Sequence, residues 1–206
     1  MSMRAYIDIH KGLTGFAVLA LMAAYDQWDN PTAWIYLALH GTYGLLWVWK
    51  SRVFPDKLWK RHASLGYGLV IWLGLTLYWI APWLITSSGV QAPYGLLAAA
   101  ISLFVIGVFL HFTTDMQKHT ALTLQPERLI TTGMMRHSRN MNYFGELLIY
   151  LALAMLAMHW LPLLVLLGFL VFVWVPNMRR KDRSLARYPE FEAYRRRTKW
   201  FIPLIG

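Results

Sequence analysis

Apolar runs of about 20 residues, the length that a membrane-spanning helix requires, recur along the chain and are separated by short polar blocks. The first covers about 5–25, the second about 32–50, the third about 65–86 and the fourth about 93–114. Two shorter runs, about 143–159 and 161–178, form a hairpin broken at "HWLP". Pro162 suits the first turn of the last one, where a missing N–H costs little. The pattern predicts an all-α integral membrane protein of about six transmembrane helices, with a cytoplasmic, amphipathic C-terminal tail. Residues 1–206 read as a single membrane domain, with helices one to three in 1–92 and a C-terminal half in 93–206.

The polar blocks give this pattern a direction. Arg4 and Lys11 precede or open the first run, and "DQWDNP" after it has no Lys or Arg. Lys50, Arg52, Lys57, Lys60 and Arg61 fill the next loop, and "TSSGVQA" is uncharged. Lys118, Arg128, Arg136 and Arg139 lie in the long loop over 115–142, and "HWLP" again has none. Basic and non-basic loops alternate, which places both termini in the cytoplasm by the positive-inside rule. Trp residues near the run ends, such as Trp28, Trp49, Trp83 and Trp160, fit an interfacial belt. In the charged tail, Leu185, Phe191 and Tyr194 are spaced for an amphipathic helix, which could lie along the membrane surface or fold back over the helices; folding back is expected, because the polar residues of the second half need a cover.

Composition narrows the class. Hydrophobic residues make up 57% and charged residues 15% of the chain, too apolar for an ordinary soluble domain. The net charge of +10 lies in loop blocks, the habit of segments facing an anionic leaflet, so membrane lipids are expected partners and nucleic acid is not. The absence of cysteine removes thiol nucleophiles, disulfides and thiolate metal sites. His residues lack metal-ligand spacing, so no metal is expected. Neither a dinucleotide fingerprint nor a P-loop occurs. "MSMRAYIDIHKG" does not read as a cleaved signal peptide.

Ionisable groups in apolar segments are expensive and mark candidate sites. At the end of the fourth run, "HFTTDMQKHT" puts His111, Asp115 and Lys118 at helical neighbour spacing. In "RHSRNMNYFGELLIY", a helix starting near Asn140 puts Asn142 and Glu146 one turn apart, with Arg139 a turn earlier. Glu146 then lies one turn into the membrane and needs a partner. Gly145 allows another backbone or a ligand to come close. Asn177, Arg179, Arg180, Lys181 and Asp182 close the sixth run, where Arg suits phosphate or carboxylate. The plainer reading makes these polar groups interhelical stitches and interface anchors. In the second run His40 shares a face with Tyr43 and Trp47.

Three blocks carry a resemblance: "TTDMQKHT", with its D-x-Q-K segment; "GMMRHSRNMNYFGELLIY", with its N-Y-x-G-E core; and "KDRSLARYPEFEAYRRRTKWFIP", with R-Y-P-E-F and a terminal F-I-P. In order, spacing and membrane context, residues from about 94 to 206 resemble the steroid 5-alpha-reductase C-terminal family (DUF1295-like). That family is grouped with the sterol reductases and the isoprenylcysteine and phospholipid methyltransferases. The resemblance implies a bundle of membrane helices whose C-terminal half encloses a cofactor near the cytoplasmic face. By the same resemblance, Asp115, Arg139, Asn142, Tyr143, Glu146 and Asp182 match cofactor-binding positions, joined by Lys118 and Arg179.

The variations point two ways. The frequent His-Pro pair is replaced by Asn140 and Met141, and the double Glu common in the methyltransferases is missing. Both favour the reductases, as do the many Arg residues, which suit a cofactor with several phosphates. The early Gln-Glu pair of the steroid reductases is also missing from the second run, where His40 and Tyr43 become the candidate catalytic residues. The expected function is an NADPH-dependent reduction of a conjugated C=C bond in a lipophilic small-molecule substrate, sterol-like or isoprenoid. The alternatives are an S-adenosylmethionine-dependent methyltransferase of a lipid or prenylated acceptor, and a non-catalytic membrane scaffold or lipid-binding protein.

Overall fold

The computed structural model of the protein describes residues 1–56, 59 and 61–203. Lys57 and Lys60 of the loop-charge argument, and residues 204–206 of the apolar terminus, lie outside the described residues. Among the described residues every named element is helical: α1 Met3–Ala24, α2 Pro31–Val53, α3 Leu65–Thr76, α4 Ile80–Ser87, α5 Tyr94–Leu124, α6 Met141–Leu156, α7 Trp160–Phe169, α8 Val175–Leu185 and α9 Phe191–Arg197. A 3-10 turn, Leu77–Trp79, joins α3 to α4, and a π-helical turn, Leu170–Trp174, joins α7 to α8.

Local chemistry sets these limits. Ser2 starts α1 by accepting from the Ala5 amide at 3.3 Å. Asn30 starts α2 by accepting from Thr32 and Ala33 at 2.9 and 3.3 Å, with Pro31 following it. Pro82 cannot donate to the carbonyl of Tyr78, four residues earlier. The Tyr36 hydroxyl donates to that carbonyl instead, at 3.4 Å. Pro176, the second residue of α8, likewise has no amide hydrogen to donate, and the π turn lies directly ahead of α8.

Among the described residues, four segments are long and apolar enough to cross a membrane: Met3–Ala24, Leu65–Ser87, Tyr94–Leu124 and Trp160–Leu185. Large apolar side chains on them point outward, including Phe16 at 69%, Leu73 at 69% and Phe172 at 80% exposure, as in a protein that faces lipid. The expected six are therefore supported as four by length and composition. α2 has 23 residues but carries His40, Lys50 and Arg52. α6 has 16 residues, about 24 Å at 1.5 Å per residue, against a hydrocarbon core of about 30 Å. Two helices outrun their expected ends. α5 continues through its polar residues to Leu124, and the last span continues through Arg179–Arg183 to Leu185. Polar residues alone do not stop a helix that lacks a Gly or Pro breaker.

The chain forms two compact units, Met1–Phe104 with Tyr150–Leu166, and Val105–Ile149 with the chain from Leu167 on. In the first, α1 packs on α2 so closely that a Cβ on Gly44 would fall on the carbonyl oxygen of Lys11. In the second, α5 and α6 cross at a pair of glycines. A Cβ on Gly145 would come 2.5 Å from the His111 amide, and one on Gly107 would come 2.7 Å from the Gly145 carbonyl. Gly145 thus admits a neighbouring backbone, as its sequence position suggests.

Candidate functional site

In the second unit the start of α6 is stitched to the C-terminal tail. Ser138, Arg139 and Asn140 are all buried. The Arg139 amide donates to the Lys199 carbonyl at 3.0 Å, and the Lys199 amide donates to the His137 carbonyl at 3.3 Å. The Ser138 hydroxyl donates to the Phe201 carbonyl at 2.7 Å, and Asn140 Nδ2 donates to the Trp200 carbonyl at 2.8 Å. The tail therefore folds back, as expected from polar residues that need a cover. α9 plants Phe191 and Tyr194 against Leu129, Leu185 and Tyr188. The Tyr194 hydroxyl donates to the Met135 carbonyl at 2.7 Å, and burial pushes its pKa up to about 12.

Arg139 is the centre of this clasp. Its Nε and Nη2 donate to the Asp182 carboxylate at 3.1–3.3 Å. Its Nη1 donates to the carbonyls of Arg195 and Thr198 and to the Thr198 hydroxyl at 3.0–3.2 Å. Four of the five guanidinium hydrogens suffice for these contacts, so Arg139 holds the tail before it can hold a ligand. The Lys181 amine donates to the Arg139 carbonyl at 2.5 Å, within electrostatic reach of Asp115, Lys118 and Asp182. His111 donates through Nδ1 to the Asn142 carbonyl at 2.9 Å and turns Nε2 toward Asp115 at 3.8 Å.

Asp115, Lys118, Arg139, Asn142 and Asp182 therefore share one neighbourhood. Tyr143 is half-buried beside Trp174, with ring centroids 6.2 Å apart. Glu146 is half-buried one turn beyond Asn142 on α6. Arg179 is exposed on α8 and joins none of these contacts. Lys181, which the sequence marks only as one of a basic block, belongs at the centre. Gln117 of the D-x-Q-K segment pins the loop ahead of α6, because its side-chain amide holds both the Thr132 carbonyl and the Met134 amide, at 2.7 and 2.9 Å.

Two details suggest a ligand. The Oδ1 atoms of Asn140 and Asn142 are buried acceptors without a hydrogen-bond partner among the described residues, an arrangement that native proteins seldom keep without a reason. Next to Arg139 opens a cleft of about 560 Å³, lined by Arg195, Arg196, Arg197, Lys199, Trp200 and Phe201 among others. It combines exposed guanidinium groups with two aromatic side chains.

The sequence candidates of the first unit, His40 and Tyr43, are both buried. His40 Nδ1 lies 2.9 Å from the Tyr36 hydroxyl. Tyr43 packs on Trp47 and on Tyr150, at 6.1 and 5.9 Å. Between these rings sits Lys11, which in the sequence reads as a charge near the helix end. It lies in the third turn of α1 and is 6% exposed. Its amine donates to the Tyr150 hydroxyl at 2.7 Å and lies 4.5 and 4.2 Å from the Tyr43 and Trp47 ring centroids. The signal in the sequence is Ser2, an N-cap that places Lys11 well inside the helix.

Residues 57–198 match the model of a protein family described as a protein of unknown function (DUF1295). The match reaches well ahead of the three motif blocks, which begin near 113. No curated protein matches the chain. The chain belongs to the DUF1295 family, which is the steroid 5-alpha-reductase-like family.

Proposed function

We propose that the protein is an NADPH-dependent membrane reductase of a conjugated C=C bond in a lipophilic, sterol-like or isoprenoid substrate. The observation that carries this reading is the cationic cleft at Arg195, Arg196, Arg197 and Lys199. Guanidinium groups pair with phosphate oxygens two at a time, and NADPH presents three phosphates. The aromatic side chains of Trp200 and Phe201 offer stacking faces for a flat base. The orphaned Asn140 and Asn142 oxygens accept hydrogens of the kind a carboxamide carries. The residues thus fit the cofactor. Its reduced nicotinamide would supply a hydride when bound.

In this reading the tail residues hold the phosphates, and Arg139 with Asp182 holds the tail. Asp115, Lys118 and Lys181 set the charge around the start of α6. His40 and Tyr43 are candidate proton donors in the first unit. We also propose that α2 and α6 cross the membrane with the four longer segments. Six passes put both termini, and the tail, on the cytoplasmic side with the basic loops.

The test is thermal unfolding of the purified protein with NADP or with S-adenosylhomocysteine. NADP at about 100-fold over its Kd should stabilise by about 2.7 kcal/mol. Replacement of Arg195, Arg196 and Arg197 by Gln should abolish that gain. Stabilisation by S-adenosylhomocysteine alone would instead favour the methyltransferase reading. One observation supports that second reading: the two orphaned amide oxygens are acceptors, and S-adenosylmethionine carries an ammonium. No response to either ligand would leave the scaffold.

A further inference from the structure

Three arginines of α8 belong neither to the clasp nor to the cleft. Arg179, Arg180 and Arg183 are exposed, and none of them makes a hydrogen bond or an ion pair among the described residues. Arg187, just beyond α8, behaves differently. It bonds to the Ser184 and Tyr188 hydroxyls, both at 3.1 Å, and lies over the Tyr188 ring. The acid of α8, Asp182, is already bound to Arg139. The three guanidinium groups are left facing outward.

The helix sorts its residues by side. At 3.6 residues per turn, Met178, Asp182 and Leu185 share one side. Met178 is fully buried, Asp182 meets Arg139, and Leu185 packs against the Phe191 cluster. Pro176, Arg179, Arg180 and Arg183 fall on the opposite side, within an arc of about 100°. One turn before Pro176, Phe172 is 80% exposed, and Val173 beside it is exposed too. Apolar surface that faces lipid therefore runs directly into a cationic stripe.

Length sets the depth of this stripe. Trp160–Leu185 has 26 residues, about 39 Å at 1.5 Å each, against a hydrocarbon core of about 30 Å. The excess carries the charged end into the headgroup layer. Phe172 precedes Arg179 by about two turns, or about 10 Å.

Like charges three and four residues apart on a helix repel one another. An anion shared by the three arginines replaces that repulsion with attraction, and a guanidinium takes phosphate oxygens two at a time. A soluble phosphate gains nothing from the apolar face beside the stripe. A zwitterionic headgroup brings its own ammonium against the arginines. We propose that Arg179, Arg180 and Arg183 form a docking site for the headgroup phosphate of an anionic phospholipid, whose acyl chains lie along Phe172, Val173 and Pro176. The site does not depend on the cofactor reading, because none of these residues lines the cleft at Arg195–Lys199.

The test uses the full chain in neutral detergent micelles doped with equal amounts of dioleoylphosphatidylglycerol and dioleoylphosphatidylcholine. Native mass spectrometry counts the lipids retained. The parent should keep phosphatidylglycerol in preference. One basic side chain at an anionic surface contributes about fivefold. Exchange of Arg179, Arg180 and Arg183 for Gln should therefore lower retention at least about tenfold. Exchange for Lys keeps the charge without the planar fork and should fall between. The charge-matched control, exchange of Arg195, Arg196 and Arg197 for Gln, should change retention by no more than about twofold. Equal losses in the two Gln variants would mean that net charge alone recruits the lipid, and would overturn the site. So would a parent without preference for phosphatidylglycerol, or displacement of that lipid by glycerol phosphate, the mark of a soluble ligand. Loss of NADP stabilisation in the Arg179, Arg180 and Arg183 variant, with phosphatidylglycerol still retained, would assign the stripe to the cofactor and overturn it as well.

Discussion

Lys11 and Arg139 are two cations buried to almost the same degree, 6% and 5% exposed, in different units of the chain. Their surroundings are opposites. Lys11 is held by a phenol and aromatic faces, which are neutral. Arg139 is held by a carboxylate and by carbonyls of the tail. The difference matters when the cation is removed. Aromatic rings left without a cation are still content in an apolar interior. A carboxylate left without its guanidinium is an uncompensated charge. Burial alone therefore does not rank the two residues; the chemistry of the partner does.

The largest expected effect follows from this contrast. Arg139→Ala strands Asp182 and releases the carbonyls of Arg195 and Thr198, a loss of about 3 kcal/mol. The apparent Tm should fall, and limited proteolysis should begin in the tail. Arg139→Lys keeps the charge but not the planar fork, and should fall between the two. A loss under about 1 kcal/mol for Arg139→Ala would mean that the clasp is held by α9 packing instead.

Next come two glycines, one in each unit. Gly44→Ala would drive a methyl into the carbonyl of Lys11, and Gly145→Ala would drive one toward the His111 amide. Both obstacles are helix backbone, so the helices must separate, at a cost of about 1–3 kcal/mol each. Gly44→Ala should also change the fluorescence of Trp47, whose ring faces the Lys11 amine at 4.2 Å, whereas Gly145→Ala should not. Equal effects on that fluorescence would erase the distinction between the two regions.

The two regions are not equally legible in the sequence. The helices are, because long apolar runs admit few other structures. The Arg139 region is, because its residues are close in sequence and sit in motif blocks with a family behind them. The exact partners are not: Asp182 lies 43 positions from Arg139, and their hydrogen bonds belong to the folded chain. Lys11 and Tyr150 are 139 positions apart and carry no motif. Pairing them requires the packing of α1 with the later helices of its unit, which periodicity does not encode. Helix ends are also hard to read, since the polar residues in α5 and α8 look like boundaries that only a breaker enforces.

Lys11→Met sharpens the contrast at lower amplitude. Methionine has similar length, tolerates aromatic surroundings and leaves the Tyr150 hydroxyl without this donor. Thermal unfolding should change by no more than about 1 kcal/mol, in either direction. A loss comparable to that of Arg139→Ala would show that the cage is a structural keystone.

The smallest expected change in stability comes from the exposed cations of the cleft. Arg195 pairs with Glu192 at 3.5 Å, but both side chains are more than half exposed. Such a pair contributes a few tenths of a kcal/mol at most, because water and salt screen it. Exchange of Arg195, Arg196 and Arg197 for Gln should therefore leave the apparent Tm within about 0.5 kcal/mol of the parent. The Arg195 and Thr198 carbonyls that anchor Arg139 are backbone atoms and survive the exchange. This separates two roles that adjoin one another in the tail. If the clasp is structural and the cleft binds phosphate, the triple variant should unfold like the parent without ligand and lose the NADP-dependent gain. A variant that is itself destabilised by about 2 kcal/mol would show that these side chains hold the tail in place, and the cleft would cease to be the argument for a polyphosphate cofactor.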